Sequence, residues 1–340
     1  MEQYTPVRNF YHDHSRGLVP HQLPPVKKFG RNRDVDTGGS EAVWSYGGQW
    51  INSPVATGLQ MVSSDAGDAG ALRASGTHTD ERTSGLLIDD NATFQTSGVL
   101  VGDVVLNDTT GEFGYVTEII SQTRLTFFNN NGTYMNENDT YRIAYTTGLG
   151  VGVVQLSQLL DANWDRAIPR FVILDGLTGV VMSGSDIWRL TRMRAVHAGN
   201  PNSPFNLGNI DANLGGGPIA GTTIAQIPIA SCQTQMACYT TARNEEAYVL
   251  KAYSSINRAA QQDAKANVFF GVQAAGFSTA PVLIKSTLGV NESGANPFFD
   301  DDELSDRIPP RTDVVIAVDD VTQNDSDVSA GFDLVCYKVV

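Results

Sequence analysis

Short runs rich in Val, Ile, Thr and aromatic residues recur along most of this chain, each closed by a turn bearing Gly, Asn, Asp or Ser. No long stretch sustains the three-to-four-residue apolar spacing of an amphipathic helix. GVLVGDVVLND, TTGEFGYVTEII, TRLTFF and DTYRIAYT follow one another between residues 90 and 147, with DTTG and NNNGT as turn chemistry between them. A longer series begins at VGVVQLSQLL and runs through PRFVILDG, IWRLTRMRAVHAG, TIAQIPI, EAYVLKAYSSIN and KANVFFGVQAAG to AGFDLVCYKVV. In PRFVILDG, Phe171 and Ile173 share one face and Val172 and Leu174 the other. Along the series both faces are often apolar, which predicts strands covered on each side or packed between subunits. Consecutive strands without intervening helices predict antiparallel pairing. The expected fold class is all-β: antiparallel, jelly-roll-like β-sandwich domains with an extended N-terminal arm and a small inserted β-domain. The run NRAAQQDAKA at 257–266 is the one candidate helical turn.

The expected division is an anchoring arm at 1–45, a β-sandwich domain formed by 46–89 with 148–230, an inserted module at 90–147, and a second sandwich at 231–340. Pro6, Pro20, Pro24 and Pro25 interrupt regular structure in the first segment, whose apolar residues follow neither helical nor strand spacing. Tyr4, Phe10, Tyr11, Leu23, Val26 and Phe29 are nonetheless costly to leave in water, so the arm reads as a strap along another surface, either the body of this chain or a neighbouring subunit. Trp44, Tyr46 and Trp50 suit a first strand pair or an aromatic cluster at one end of a sandwich. The glycine-rich stretch at 66–83 reads as a long loop.

Charge sharpens the arm. The 340 residues carry a net charge of -14, yet residues 1–34 hold six basic residues against three acidic ones, +3, leaving -17 on the remainder. An acidic body disfavours nucleic acid, whose phosphates require a surplus of Lys and Arg. With no apolar run of the roughly 20 residues that a bilayer span requires, no membrane segment is expected. The opening residues lack a signal-peptide pattern, which predicts a soluble protein made in a cytoplasm. Val26, Lys27, Lys28, Phe29, Arg31 and Arg33 are the candidate partner-binding residues, combining apolar anchors with charge suited to an acidic neighbour. A strap of this kind is expected to be dispensable for folding, so that removing 1–34 leaves a folded body.

Catalytic signals are few. Neither G-x-S-x-G nor G-x-x-x-x-G-K-[ST] occurs, and Gly148, Gly150 and Gly152 lack the spacing of a dinucleotide fingerprint. Cys232, Cys238 and Cys336 read as small reduced core residues. His12 and His14 in YHDH have metal-ligand chemistry but sit in an irregular arm. The acidic runs holding Asp300, Asp301, Asp302 and Glu303, and Asp319, Asp320, Asp325 and Asp327, lack the glycine punctuation of a calcium loop and read as solvated charge. Asp161 and Asp165 flank Trp164 as in a sugar site, but hydrolysis would need a turn there to bring the carboxyls together. No catalytic residue, cofactor or metal is assigned, and the expectation is a non-enzymatic protein.

The segments PPVKKFGRNRDVDTGGSEAVWSYGGQW, LLDANWDRAIPRFVILDGLTGV, WRLTRMRAVHAG, NLGNIDAN, QTQMACYTTARNEEAYVLKAYSSINRA and NDSDVSAGFDLV, in that order, resemble a family of tailed-bacteriophage virion structural proteins. The resemblance covers the arm after about Pro24 and most of 150–340, and it skips much of the 90–147 module, itself similar to small β-modules inserted in phage structural proteins. It implies a β-rich head decoration, head fibre or tail-associated component, located in the virion and attached through its N-terminal portion. Implied partners are the major capsid, collar or tail proteins and further copies of the chain, a trimer being one arrangement. The alternative is a tail-fibre-like adhesin that attaches to a host-surface glycan through its loops and the inserted module. The resemblance carries no catalytic residues.

Overall fold

In a computed structural model of the protein, the described residues are 21–52, 55–128, 134–182, 184, 186–215, 223–257, 264–276, 280–291, 296–300 and 307–339. None of them is helical. In chain order the strands are β1 (Gln22–Val35), β2 (Glu41–Ala42), β3 (Leu59–Ser63), β4 (Gly70–Thr77), β5 (Thr83–Ser84), β6 (Leu86–Ile88), β7 (Val104–Asn107), β8 (Phe113–Ile119), β9 (Arg124–Phe128), β10 (Tyr134–Met135), β11 (Thr140–Thr146), β12 (Val151–Asp161), β13 (Arg170–Ile173), β14 (Val180–Val181), β15 (Ile187–Ala198), β16 (Ile210–Leu214), β17 (Thr223–Ile227), β18 (Cys238–Thr240), β19 (Glu245–Ile256), β20 (Lys265–Ala274), β21 (Leu283–Asn291), β22 (Asn296–Asp300), β23 (Thr312–Val321) and β24 (Ser326–Lys338). The fold is all-β with several antiparallel sheets. Two units divide the chain: Met1–Ala56 with Leu160–Arg166 and Gln235–Val340, and Thr57–Leu159 with Ala167–Thr234.

The first unit contains the sheets β1-β24-β19-β22 and β18-β23-β20-β21, with β2 paired to β23. Their apolar residues meet in one core, where Val249, Phe332 and Leu334 from one sheet join Phe270, Val314 and Ile316 from the other. The rings of Phe270 and Phe332 pack edge to face with centroids 5.7 Å apart.

Residues 22–35 lie along the body of the chain itself and form a regular strand, which the lack of strand spacing did not predict. β1 pairs antiparallel with β24 from Gln22 opposite Tyr337 to Val35 opposite Ser326, and Val26 and Val35 enter the core. Val26, Lys28, Gly30 and Asn32 face inward while Lys27, Phe29 and Arg33 face outward. That inward set holds a lysine, a glycine and an asparagine, so apolar spacing could not reveal the strand. Gly30 is required by close approach, since a Cβ there would lie 2.0 Å from the Val43 carbonyl oxygen and 2.4 Å from the Ala237 amide. Removing residues 1–34 would take β1 from its pairing with β24 and Val26 from the core, which bears directly on the expectation that a folded body remains. Residues 1–20 lie outside the described residues, as does most of the candidate helical turn at 257–266.

The second unit carries a six-stranded sheet, β4-β11-β7-β8-β9-β6, a three-stranded sheet, β13-β12-β15, and a four-stranded sheet, β14-β3-β16-β17. Strands β7 and β11 of the six-stranded sheet carry buried residues on both faces. Val105 and Ile143 point into a core with Leu87, Phe94, Val116 and Leu125, whereas Val104, Leu106 and Ala144 point into a second with Val153, Phe171 and Val196. This two-sided burial explains why VVLN in β7 has no exposed residue. The sheet recruits β4 and β6 from outside 90–147. β4 lies within the stretch expected to be a loop; its small and polar residues are held by pairing with β11 from Gly70 opposite Thr146 to Thr77 opposite Thr140.

Candidate functional site

The six residues expected to bind a partner divide by strand geometry. Val26 and Lys28 are buried, 7% and 6% exposed, whereas Lys27, Phe29 and Arg33 lie on the open face of β1. Arg31 is engaged within the chain, its Nε donating to Asp327 Oδ1 at 2.8 Å and its terminal nitrogen to Asp327 Oδ2. Of the acidic run near the C-terminus, Asp325 meets Asp34 and Asp36 in an exposed carboxylate cluster. His12, His14 and the 301–303 part of the other acidic run lie outside the described residues.

The Asp161–Trp164–Asp165 segment does form a turn, and its groups are committed to holding it. Asp161 Oδ1 accepts the amides of Asn163 and Asp165 at 2.8 and 2.9 Å, and Asp165 pairs with Arg243 at 2.7 Å. Trp164 is buried, with Gly276 against its indole, so it offers no open stacking platform. Close by in the same unit, Glu245 accepts from Arg166 at 2.7 Å and from the Tyr239 hydroxyl at 2.5 Å. Burial pushes the Glu245 carboxyl up, but the Arg166 charge and these hydrogen bonds outweigh it and hold the group below its ordinary value. The cysteines partly depart from expectation: Cys238 and Cys336 are buried, and burial raises both thiols, whereas Cys232 is only half-buried.

Two surfaces of the second unit stand out. One is a set of loops gathered by Asp68, a fully buried carboxylate. Its Oδ1 accepts the Val151 and Leu207 amides at 2.8 and 3.0 Å, its Oδ2 accepts the Gly208 amide and the Ser63 hydroxyl at 2.8 and 2.7 Å, and its carbonyl accepts the Gly176 amide at 3.0 Å. Asn206 extends the assembly by donating to the Pro228 carbonyl at 2.8 Å and accepting the Ser231 and Cys232 amides. The tips of these loops expose Leu149, Leu177, Phe205, Leu207 and Ile229. Loops tied down this firmly present apolar side chains as a defined surface.

The other is an open cleft of about 700 Å³ beside the β7–β8 turn. Asn107 builds that turn by accepting the Thr109 and Thr110 amides, each at 3.0 Å, and Gly111 closes it at φ +74 against Pro169. Tyr115 and Phe128 are register partners on β8 and β9 and so share a face, where they remain 40% and 59% exposed. Phe113, two residues before Tyr115, packs edge-on to it at 6.0 Å. From β15, Arg192 and Arg194 project on one side of the strand into the same cleft. The Arg194 guanidinium lies 5.0 Å from the Phe113 ring centre, and its Nε donates to Gln155 Oε1 at 2.6 Å. Gln155 is buried and donates from Nε2 to the Gly111 carbonyl at 2.6 Å, linking the arginine to the turn. Burial and the neighbouring Arg192 charge both lower the Arg194 pKa from its ordinary value. The strand runs that carry these residues were readable from sequence; the meeting of segments near 113, 128, 155 and 194 was not.

Comparison with protein-family models and with curated proteins finds no match to this chain.

Proposed function

We propose that this chain is a non-enzymatic structural component of a tailed-bacteriophage particle, a head decoration or fibre or a tail-associated protein, built on jelly-roll-like β-sandwiches. The observation that carries the reading is the apolar loop surface organised by Asp68. Five large apolar side chains on anchored loops suit permanent contact with another particle subunit, because burying each contributes roughly 1.5–3 kcal/mol. The ordered series of segments resembling virion proteins supports the same reading. Lys27, Phe29 and Arg33, on the open face of β1 in the first unit, suit a contact of their own with an acidic neighbour.

The partners in this reading are capsid, collar or tail proteins and further copies of the chain. The test is incorporation into purified particles. A Leu149→Lys, Leu177→Lys protein is expected to fold with an unchanged melting profile and to be lost from particles at least tenfold relative to the wild type. Normal incorporation of that variant, or absence of the wild-type chain from particles, overturns the reading.

A second reading is an adhesin for a host-surface glycan. The aromatic and arginine-lined cleft favours it specifically.

A further inference from the structure

We infer that the cleft between the β7–β8 turn and β15 is a binding site for an acidic saccharide, with a sugar ring on Tyr115 and Phe128 and its carboxylate on Arg192. The inference deepens the adhesin reading and rests on it; incorporation into particles does not depend on it.

Three observations converge on this occupant. First, the Arg192 side chain has neither an ion pair nor a hydrogen bond among the described residues, and the Arg194 side chain is hydrogen-bonded only to the neutral Gln155. Glu112 lines the cleft but pairs with neither arginine. Two cations left without carboxylate partners in a chain of net charge -14 are out of keeping with the surrounding charge. Arg73, Arg142, Arg166, Arg170 and Arg243 each have a carboxylate partner; Arg33, Arg124 and Arg311 have none among the described residues, but none of these three lines the cleft. A guanidinium fork matches a carboxylate bidentately, and an anion here would relieve the repulsion between the two arginines.

Second, Tyr115 and Phe128 are exposed side by side on one sheet face, while Phe113, next along β8 on that face, is packed against Tyr115 and Phe171. Rigid, half-open aromatic rings bind the C–H face of a pyranose with little loss of side-chain freedom. Third, the cleft combines this apolar floor with Gln and Ser side chains, and its volume lies within the range of about 300–1,000 Å³ usual for ligand sites. Sugar hydroxyls need such dispersed donors and acceptors, which a purely hydrophobic ligand would leave unsatisfied. Gln155 is a positioning residue: it holds Arg194 over Phe113, and its burial fixes the geometry before a ligand arrives.

Single-stranded nucleic acid also combines stacking with negative charge, but its binding needs a groove of cations along several phosphates. Two arginines in an acidic unit favour a single carboxylate instead. The full-length protein would be titrated calorimetrically with polygalacturonate, hyaluronate, alginate and polysialate, with fully methyl-esterified polygalacturonate as the neutral control and an oligothymidylate as the nucleic-acid control. Binding to at least one acidic polysaccharide, weakening with added salt and absent for the ester and the oligothymidylate, is expected. Arg192→Ala and Phe128→Ala should each weaken it about tenfold with unchanged unfolding midpoints, and Arg192→Lys should recover only part of the loss. Binding to none of the four, equal binding of the ester, binding of the oligothymidylate, or an Arg192→Ala variant that binds like wild type overturns the inference. Particle incorporation of the Arg192→Ala variant, measured alongside, separates failure of this site from failure of the structural reading.

Discussion

Glu245 shows how a residue that looks ordinary in sequence becomes decisive in three dimensions. Its carboxylate is buried, yet Arg166, Tyr239 and the Ala242 amide all direct hydrogen toward it. Removing one member of such a set leaves the others underbonded, so Glu245→Gln is expected to cost about 2 kcal/mol at neutral pH by denaturant unfolding. Because the folded pKa lies below the ordinary value, the carboxylate contributes fully above the unfolded pKa of about 4.3 and loses its contribution as pH falls through the folded value. The stability gap between wild type and variant should therefore narrow below about pH 4, as read from unfolding midpoints across pH; a gap independent of pH would count against the ion pair. Glu245 opens a strand whose alternation is visible in EEAYVLKAYSSI, but its partner Arg166 lies 79 positions away.

At the scale of elements, β1 and β4 were hidden and β7, β8, β9, β12 and β20 were not. The legible strands carry β-branched or aromatic residues on at least one buried face, so local chemistry and tertiary role coincide. β1 instead buries Lys28, Gly30 and Asn32, and β4 consists largely of small and polar residues. In both, backbone hydrogen bonds to β24 and β11 decide the conformation. Removing residues 1–35 exposes the β24 edge and takes Val26 and Val35 from the core, and should yield aggregated or proteolysis-sensitive protein. A truncated protein with the thermal transition and protease resistance of the full chain would contradict the placement of β1.

At the scale of the whole molecule, each unit has its own core, so damage in one need not spread. Gly30→Ala forces a methyl group into two backbone neighbours of the first unit and is expected to destabilise it by about 2 kcal/mol or more. Hydrogen exchange should then accelerate in β19, β23 and β24 while amides of β7, β8 and β11 keep their protection; uniform loss would show that the units unfold together. The all-β class and the antiparallel pairing were legible because alternation, turn residues and the lack of helical spacing are local properties of the chain. The cleft and the Asp68 loop surface were not. Arg192 and Arg194 read only as strand residues, and nothing local marks Gln155 as the side chain that holds one of them over Phe113. The charge polarity was likewise legible as a sum, but the tertiary structure divided its carriers. It buried Lys28, paired Arg31 with Asp327 and left Lys27 and Arg33 outward, because strand alternation assigns neighbouring residues to opposite faces and only the packed sheet determines which face is covered.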